Sequence, residues 1–256
     1  ADFFTPYGAT ECLPVASISA REVLHDTAAL RAVGKGTCVG RLFDRMRVRI
    51  IETSFDPLPD LANTIDVVDG HIGEIIVSGP VATREYFQRP DATAMAKIKD
   101  GTSFWHRMGD VGYFDSAGRL WFCGRKTHIV WSPAGPMFSV CCEAIFNNHP
   151  AVYRCALVGV GMQRHQTPAI VIEPESGKFP SSDRERKPFI DELLELGAAN
   201  PLTMSIHRIL FHHSLPVDTR HNVKINREVL AESSREYVLC AKMSNACRVS
   251  ISLVFS

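Results

Sequence analysis

The stretch "RMGDVGYFDSAGRLWFCGRK" (107–126) sets Asp110 between Gly109 and Val111-Gly112, runs through a short hairpin, and returns to Gly124-Arg125-Lys126. A carboxylate is a two-oxygen acceptor, which suits the vicinal hydroxyls of a ribose. Near the start, "PYGATE" (6–11) gathers Tyr7, Gly8, Thr10 and Glu11. That set suits a nucleotide: an aromatic face for a base, a glycine for close backbone approach, a hydroxyl for a phosphate oxygen and a carboxylate for Mg²⁺. Far downstream, "LPVDTRHNVKINRE" (215–228) holds Lys224 in a polar loop rich in positive charge. Each has a plainer reading alone: an aspartate that forms a turn, a turn at 6–11, a solvated lysine.

Other spots carry less. "VGKGTCVG" (33–40) does not match GxxxxGK[ST] and "VGVG" (158–161) lacks the GxGxxG spacing, so both read as turns. There is no HExxH or GxSxG, and alternation along a strand points His212 and His213 to opposite faces, so neither zinc nor a serine-hydrolase triad is indicated. Arg45, Arg47 and Arg49 would line one face of a strand, either as a patch for an anionic partner or as a solvated face.

The elements that must position these residues change character along the chain. Up to about residue 125 the pattern is strands and turns: "RMRVRII" (45–51), "GEIIVSG" (73–79) and the hairpin 112–124 predict a small antiparallel sheet or barrel. "PDATAMAKIKDG" (90–101) predicts a short helix ended by Gly101. After residue 128, helices predicted over 139–150 and 183–200 alternate with strands over 152–161, 167–175 and 206–214, a small α+β domain. The segment 238–256 has no clear assignment.

Composition bounds the rest. The 256 residues balance 28 Lys and Arg against 28 Asp and Glu, which leaves no global field to recruit nucleic acid. The eight cysteines make no metal-binding spacing and read as reduced core thiols of a cytoplasmic protein. No signal peptide opens the chain and no apolar run is long enough to span a membrane. The chain enters at once into the Tyr7 motif, as if from the middle of a domain, and a fragment is expected.

Taken in order, Tyr-Gly-x-Thr-Glu, Gly-Glu-Ile-Ile-Val-x-Gly, Gly-Asp-x-Gly-Tyr-x-Asp-x-x-Gly-x-Leu-x-x-x-Gly-Arg-Lys and a late basic-loop lysine resemble the acyl-adenylate-forming superfamily of AMP-dependent synthetases and ligases, over residues 5–230. Within it, "YGATECLPVASI", "GRKTHIVWSPAGPMFSVCCEAIF" and "LPVDTRHNVKINRE" are most similar to the branch that forms β-lactones in bacterial olefin biosynthesis. The resemblance implies an α+β fold: the C-terminal part of the large adenylating domain with its small antiparallel β subdomain (1–124), a hinge at 125–127, a small α+β cap domain (128–237) and an unassigned tail (238–256).

It also implies ATP and Mg²⁺ as cofactors and a β-hydroxy fatty acid as partner. Tyr7 would stack on adenine with Gly8 beside it, Thr10 would touch the α-phosphate and Glu11 would hold Mg²⁺. Asp110 would take the ribose hydroxyls, Arg125 would sit near ribose or phosphate, and Lys224 would bridge carboxylate and α-phosphate oxygens. The implied reaction activates a 2-alkyl-3-hydroxy acid as acyl-AMP, whose own hydroxyl then closes a β-lactone. The alternatives are a long-chain acyl-CoA synthetase or acyl-carrier ligase and, outside catalysis, a nucleotide-binding or interaction module. Other olefin-pathway enzymes are implied as partners. Two departures stand out: two prolines and a tryptophan in "VWSPAGPMFSVCCE" (130–143) where many CoA ligases carry a Gly-Gly loop, and Val223 before Lys224 where glycine is common.

Overall fold

A computed structural model of the chain describes residues 2–162, 165–218, 221–231 and 254–255. The chain divides into two compact units: residues 1–31 with 35–127, and residues 32–34 with 128–256.

The first unit is built on an antiparallel sheet. Its strands are β1 (Phe4–Ala9), β2 (Cys12–Ser19), β3 (Thr37–Leu42), β4 (Arg47–Ile51), β5 (Gly73–Ser78), β6 (Lys97–Asp100), β7 (Ser103–Phe114) and β8 (Leu120–Arg125). They lie in the order β1-β2-β3-β8-β7-β5-β4, with β6 added on β7. β5 shows why "GEIIVS" is an unbroken apolar run rather than an alternation. Ile75 and Val77 face a cluster with Cys12, Val15, Met108 and Leu120, while Ile76 faces Ile51, Ile98 and Trp105. Both faces of the sheet are covered there, so all six residues of the strand are buried.

The predicted hairpin forms as β7 and β8, closed by the Asp115 turn. Asp115 Oδ1 accepts from the amides of Ala117 (3.0 Å) and Arg119 (2.9 Å), which replaces backbone bonds that a tight turn leaves open. The helix predicted over 90–101 is shorter. α3 (Pro90–Ala96, after α1, Ala20–Glu22, and α2, Ala28–Ala32) stops at Ala96, and residues 97–100 become β6, paired with β7 from Lys97↔His106 to Asp100↔Ser103. Burying Ile98 against Trp105 outweighs the helix propensity of this short segment. Arg45 lies outside β4, and Arg47 and Arg49 stack over Trp105 at 5.1 and 5.9 Å, so they are not a purely solvated face.

Beneath the sheet lies a fully buried carboxylate. Glu74 of β5 is 0% exposed and accepts from Arg107 Nε (2.7 Å) and Nη2 (2.9 Å) and from Lys126 Nζ (2.8 Å). The same two cations donate to backbone carbonyls of the 54–56 loop, Arg107 Nη1 to Asp56 at 2.7 Å and Lys126 Nζ to Ser54 at 2.8 Å.

The second unit holds a β9–β10 hairpin (Val130–Ser132 and Gly135–Met137), α4 (Ser139–Phe146), β11 (Val152–Val160), β12 (Thr167–Pro174), α5 (Asp183–Ala198) and β13 (Ile209–His212). β12 pairs antiparallel with β11 and parallel with β13, with α5 as the crossover. Phe189, Ile190 and Leu193 of α5 and Cys142, Ile145 and Phe146 of α4 bury into one cluster with Leu157, Ile172 and Phe211. "VGVG" (158–161) is not a turn, since Val158, Gly159 and Val160 are β-strand, paired to Ala169, Pro168 and Thr167. The two-proline departure folds as the β9–β10 hairpin, where Ser132 Oγ accepts from Ala134 N and donates to Gly135 O.

β14 (Val217–Asp218) and β15 (His221–Ile225) form a second hairpin, and β16 (Val254–Phe255) pairs parallel with β13. The rest of the predicted tail 238–256 lies outside the described residues, as do Cys240 and Cys247. The other six cysteines are buried, as expected of core thiols. Among the described residues no helix is long and apolar enough to cross a membrane.

Removing Glu74 would leave two cations buried without their anion. We expect Glu74→Ala to lower stability by about 3–5 kcal/mol in urea unfolding.

Candidate active site

Three of the residues singled out in the sequence meet within the first unit. Tyr7 Oη donates to Asp110 Oδ2 at 2.7 Å, and Arg125 Nη1 donates to Asp110 Oδ1 at 2.8 Å and to the Met108 carbonyl at 3.1 Å. Asp110 and Arg125 are direct cross-strand partners in the β7–β8 pair, so the two ends of the hairpin sequence face each other.

Local backbone irregularities aim these side chains. Between Ile76↔Arg107 and Glu74↔Val111, β7 advances four residues while β5 advances two, so β7 bulges around residues 108–110. Gly109 supplies the left-handed conformation this needs, with φ +68°. A second irregularity lies between Tyr7 and Ala9. A Cβ on Gly8 would stand 2.5 Å from the Cys12 carbonyl oxygen, so only glycine lets β1 and β2 close here.

Burial sets the electrostatics. Asp110 is 5% exposed and Arg125 is exposed on its rim. Burial, then the charge and hydrogen bond of Asp110, push the Tyr7 hydroxyl well above the usual tyrosine range and keep it a donor. One of these bonds goes to each Asp110 oxygen, and a two-oxygen carboxylate is the kind of acceptor that a diol matches.

Thr10 and Glu11 form the turn between β1 and β2, with Thr10 exposed. Glu11 Oε1 accepts from Tyr86 Oη at 2.8 Å, and the Glu11 carbonyl accepts from Thr83 N at 2.8 Å. Burial raises the Glu11 pKa, but the Tyr86 bond, a backbone amide and the charges of His106 and Lys97 outweigh it, and the net shift is downward. Tyr86 is pushed up to about 12 by burial and by Glu11. Glu11 is therefore a held, ionised carboxylate. Among the described residues no three metal-ligating side chains cluster. A single carboxylate fits Mg²⁺ that arrives with a polyphosphate, since that ion is usually held by one or two carboxylates plus phosphate oxygens.

Tyr7, Gly8, Asp110 and Arg125 thus come together, and Thr10 and Glu11 follow directly on β1. Lys224 belongs to β15 in the second unit. The sequence reading missed Tyr86, Lys97 and His106 around Glu11. Tyr86 sits in an unpatterned loop, and Lys97 and His106 become neighbours only through the β6–β7 pairing that the predicted helix hid.

Tyr7→Phe removes a donor to a buried carboxylate, and we expect it to cost about 1.5–3 kcal/mol in denaturant unfolding. His106 gives a pH signature. Burial, then the Lys97 charge, lowers its pKa from 6.5 to about 4, against a weaker opposing pull from Glu11. Between those values the unfolded chain binds the extra proton, so stability is full above pH 6.5 and falls as pH drops towards 4. We expect a slope of up to about 1.4 kcal/mol per pH unit in that window, diminished in His106→Gln when the two stability profiles are compared.

No family model matches the chain. Among curated proteins it is 48% identical over 236 residues to an olefin beta-lactone synthetase of Xanthomonas campestris, covering 90% of this chain and 42% of that protein. The protein of the same name from Stenotrophomonas maltophilia is 46% identical over 237 residues, with the same 90% and 42% coverage. A 2-succinylbenzoate–CoA ligase of Geobacillus kaustophilus is 31% identical over 54% of this chain and 31% of its own length. Among solved structures, the amide bond synthetase McbA of Marinactinospora thermotolerans shares the fold at TM-score 0.68 and 23% identity, over 91% of this chain and 41% of that one. The chain thus spans about two fifths of the length of the β-lactone synthetases it matches. With that similarity and the motif order, it belongs to the acyl-adenylate-forming superfamily of AMP-dependent synthetases and ligases and corresponds to the C-terminal part of such an enzyme.

Proposed function

We propose that this chain is the nucleotide-handling part of an ATP-dependent β-lactone synthetase acting on a long-chain 2-alkyl-3-hydroxy acid. The observation that carries the reading is the convergence of Tyr7, Asp110 and Arg125, with Glu11 on the adjoining turn, in a chain 48% identical to a protein named for β-lactone synthesis. In the first step a carboxylate oxygen of the acid attacks the α-phosphorus of ATP and pyrophosphate leaves. In the second, the β-hydroxyl oxygen attacks the acyl carbonyl carbon, gives up its proton, and expels AMP with the former carboxylate oxygen. The four-membered ring is strained, and holding the chain bent supplies the proximity that offsets the strain.

The residues divide this work. Asp110, held by Tyr7 and Arg125, accepts the ribose hydroxyls; Tyr7 and Gly8 line the adenine, and Arg125 presents its exposed guanidinium to ribose or phosphate. Thr10 donates to the α-phosphate, and Glu11 holds Mg²⁺, which offsets polyphosphate charge when bound. Lys224 spans the carboxylate and α-phosphate oxygens and neutralises the charge that builds when two anions react. The domain boundaries remain 1–124, a pivot at 125–127 and a cap over 128–237. Lys126 is tied to Glu74, so Thr127, exposed and directly after it, is the better pivot within that span. Association with other olefin-pathway enzymes belongs to the same reading.

In protein of the relatives' full length carrying this chain, we expect ATP and a β-hydroxy acid to yield lactone without CoA. A product that forms only with CoA, as a thioester, would establish the acyl-CoA ligase reading instead. Lys224→Ala should fold normally and lose at least ~100-fold in pyrophosphate exchange, the scale of one preorganised donor. An unchanged exchange rate refutes the role of Lys224.

A further inference from the structure

Lys97 at the start of β6 is 9% exposed, yet no carboxylate lies within ion-pairing distance of it among the described residues. Its Nζ donates to the Thr83 carbonyl and lies 3.4 Å from Thr83 Oγ1, and it stands over the rings of Phe104 (5.4 Å) and Tyr86 (6.0 Å). Burying an ammonium group with no directly paired carboxylate is unfavourable, and in a purely structural position an apolar side chain would serve better. Glu74 shows the alternative within the same unit, where both buried cations have their anion.

Two of the contacts of Lys97, Thr83 and Tyr86, lead to Glu11. Thr83, which Lys97 holds by its carbonyl, donates its own amide to the Glu11 carbonyl at 2.8 Å. Tyr86, under the same ammonium, donates its hydroxyl to the Glu11 carboxylate, and its amide is in turn held by Thr93 Oγ1 at 3.0 Å. The segment 83–86 therefore grips Glu11 at backbone and side chain, with Lys97 as the charge beneath both grips. The Lys97 field also favours ionised Glu11.

We infer that Lys97 is a positioning residue for Mg·polyphosphate: it fixes Thr83 and Tyr86, which hold the Glu11 turn and carboxylate in place, and it adds a positive charge beside that turn. This rests on the proposed role of Glu11. It also explains a buried cation there, since an ammonium group with no carboxylate in direct contact gains a favourable interaction once a polyanion arrives.

The test uses protein of the relatives' full length carrying this chain, with α,β-methylene-ATP plus Mg²⁺ and AMP alone as probes, by calorimetry, together with thermal unfolding. For Lys97→Met we expect at least ~10-fold weaker binding of the Mg²⁺-loaded triphosphate analogue, the scale of one charge at an effective dielectric near 20. AMP affinity, which depends on Asp110, should stay unchanged, and the melting temperature should stay level or rise. Lys97→Arg should keep most of the affinity, and Tyr86→Phe should weaken the analogue and not AMP. Unchanged analogue binding in Lys97→Met overturns the inference, as does an equal loss of AMP binding, or a lowered melting temperature with both affinities intact. Glu11→Gln separates the two claims. If it fails to weaken the analogue, the reading of Glu11 falls; if it weakens the analogue while Lys97→Met does not, only the inference falls.

Discussion

The first unit depends on one buried anion meeting two cations. Glu74 lies on β5, Arg107 on β7 and Lys126 just past the end of β8, so their bonds tie three stretches of chain that are distant in sequence. The cations also hold the 54–56 loop by its carbonyls. A cluster of this kind contributes little if any net stability over an apolar replacement, but losing one member is severe, so it acts as a constraint on geometry. What it constrains is the course of β7 between Arg107 and Asp110, where the strand bulges.

That bulge connects the frame to the chemistry. Arg107 turns to Glu74 and Asp110 to Tyr7 on the other face, and the two extra residues with the left-handed Gly109 lie between them. Arg125 then faces it from the paired strand, one residue before Lys126 returns to Glu74. Consecutive residues of one strand end thus serve opposite roles, Arg125 on the exposed rim and Lys126 in the interior. The supports of Asp110 and Arg125 are backbone register and a buried ion cluster.

The Glu11 turn follows a different logic. It is held by the 83–86 segment and by the first residue of β6, elements that precede the bulge and owe nothing to it. Two carboxylates of the same unit are therefore prepared separately: Asp110 deep, with Tyr7 and Arg125 as donors, and Glu11 nearer the surface with one tyrosine hydroxyl and a nearby ammonium group. The first arrangement suits a neutral diol, the second a hydrated cation with its polyanion.

The order of motifs along the chain determined the family, because Tyr7, Glu11, Asp110, Arg125 and Lys224 have residue types whose chemistry is local and readable one position at a time. The apolar alternation of β4, the continuous run of β5, the Asp115 turn and the amphipathic spacing of α5 were likewise legible, since each is set by short-range periodicity. Only the tertiary structure decided the rest. Residues 97–100 are strand and not helix because β7 offered a pairing partner and Ile98 a core. "VGVG" is strand because β12 lies beside it. Tyr86, Lys97 and His106 entered the site, and Lys126 turned inward to Glu74, through contacts between residues far apart in sequence. Pairing across such distances depends on which surfaces fold together, and no local pattern of side chains records that.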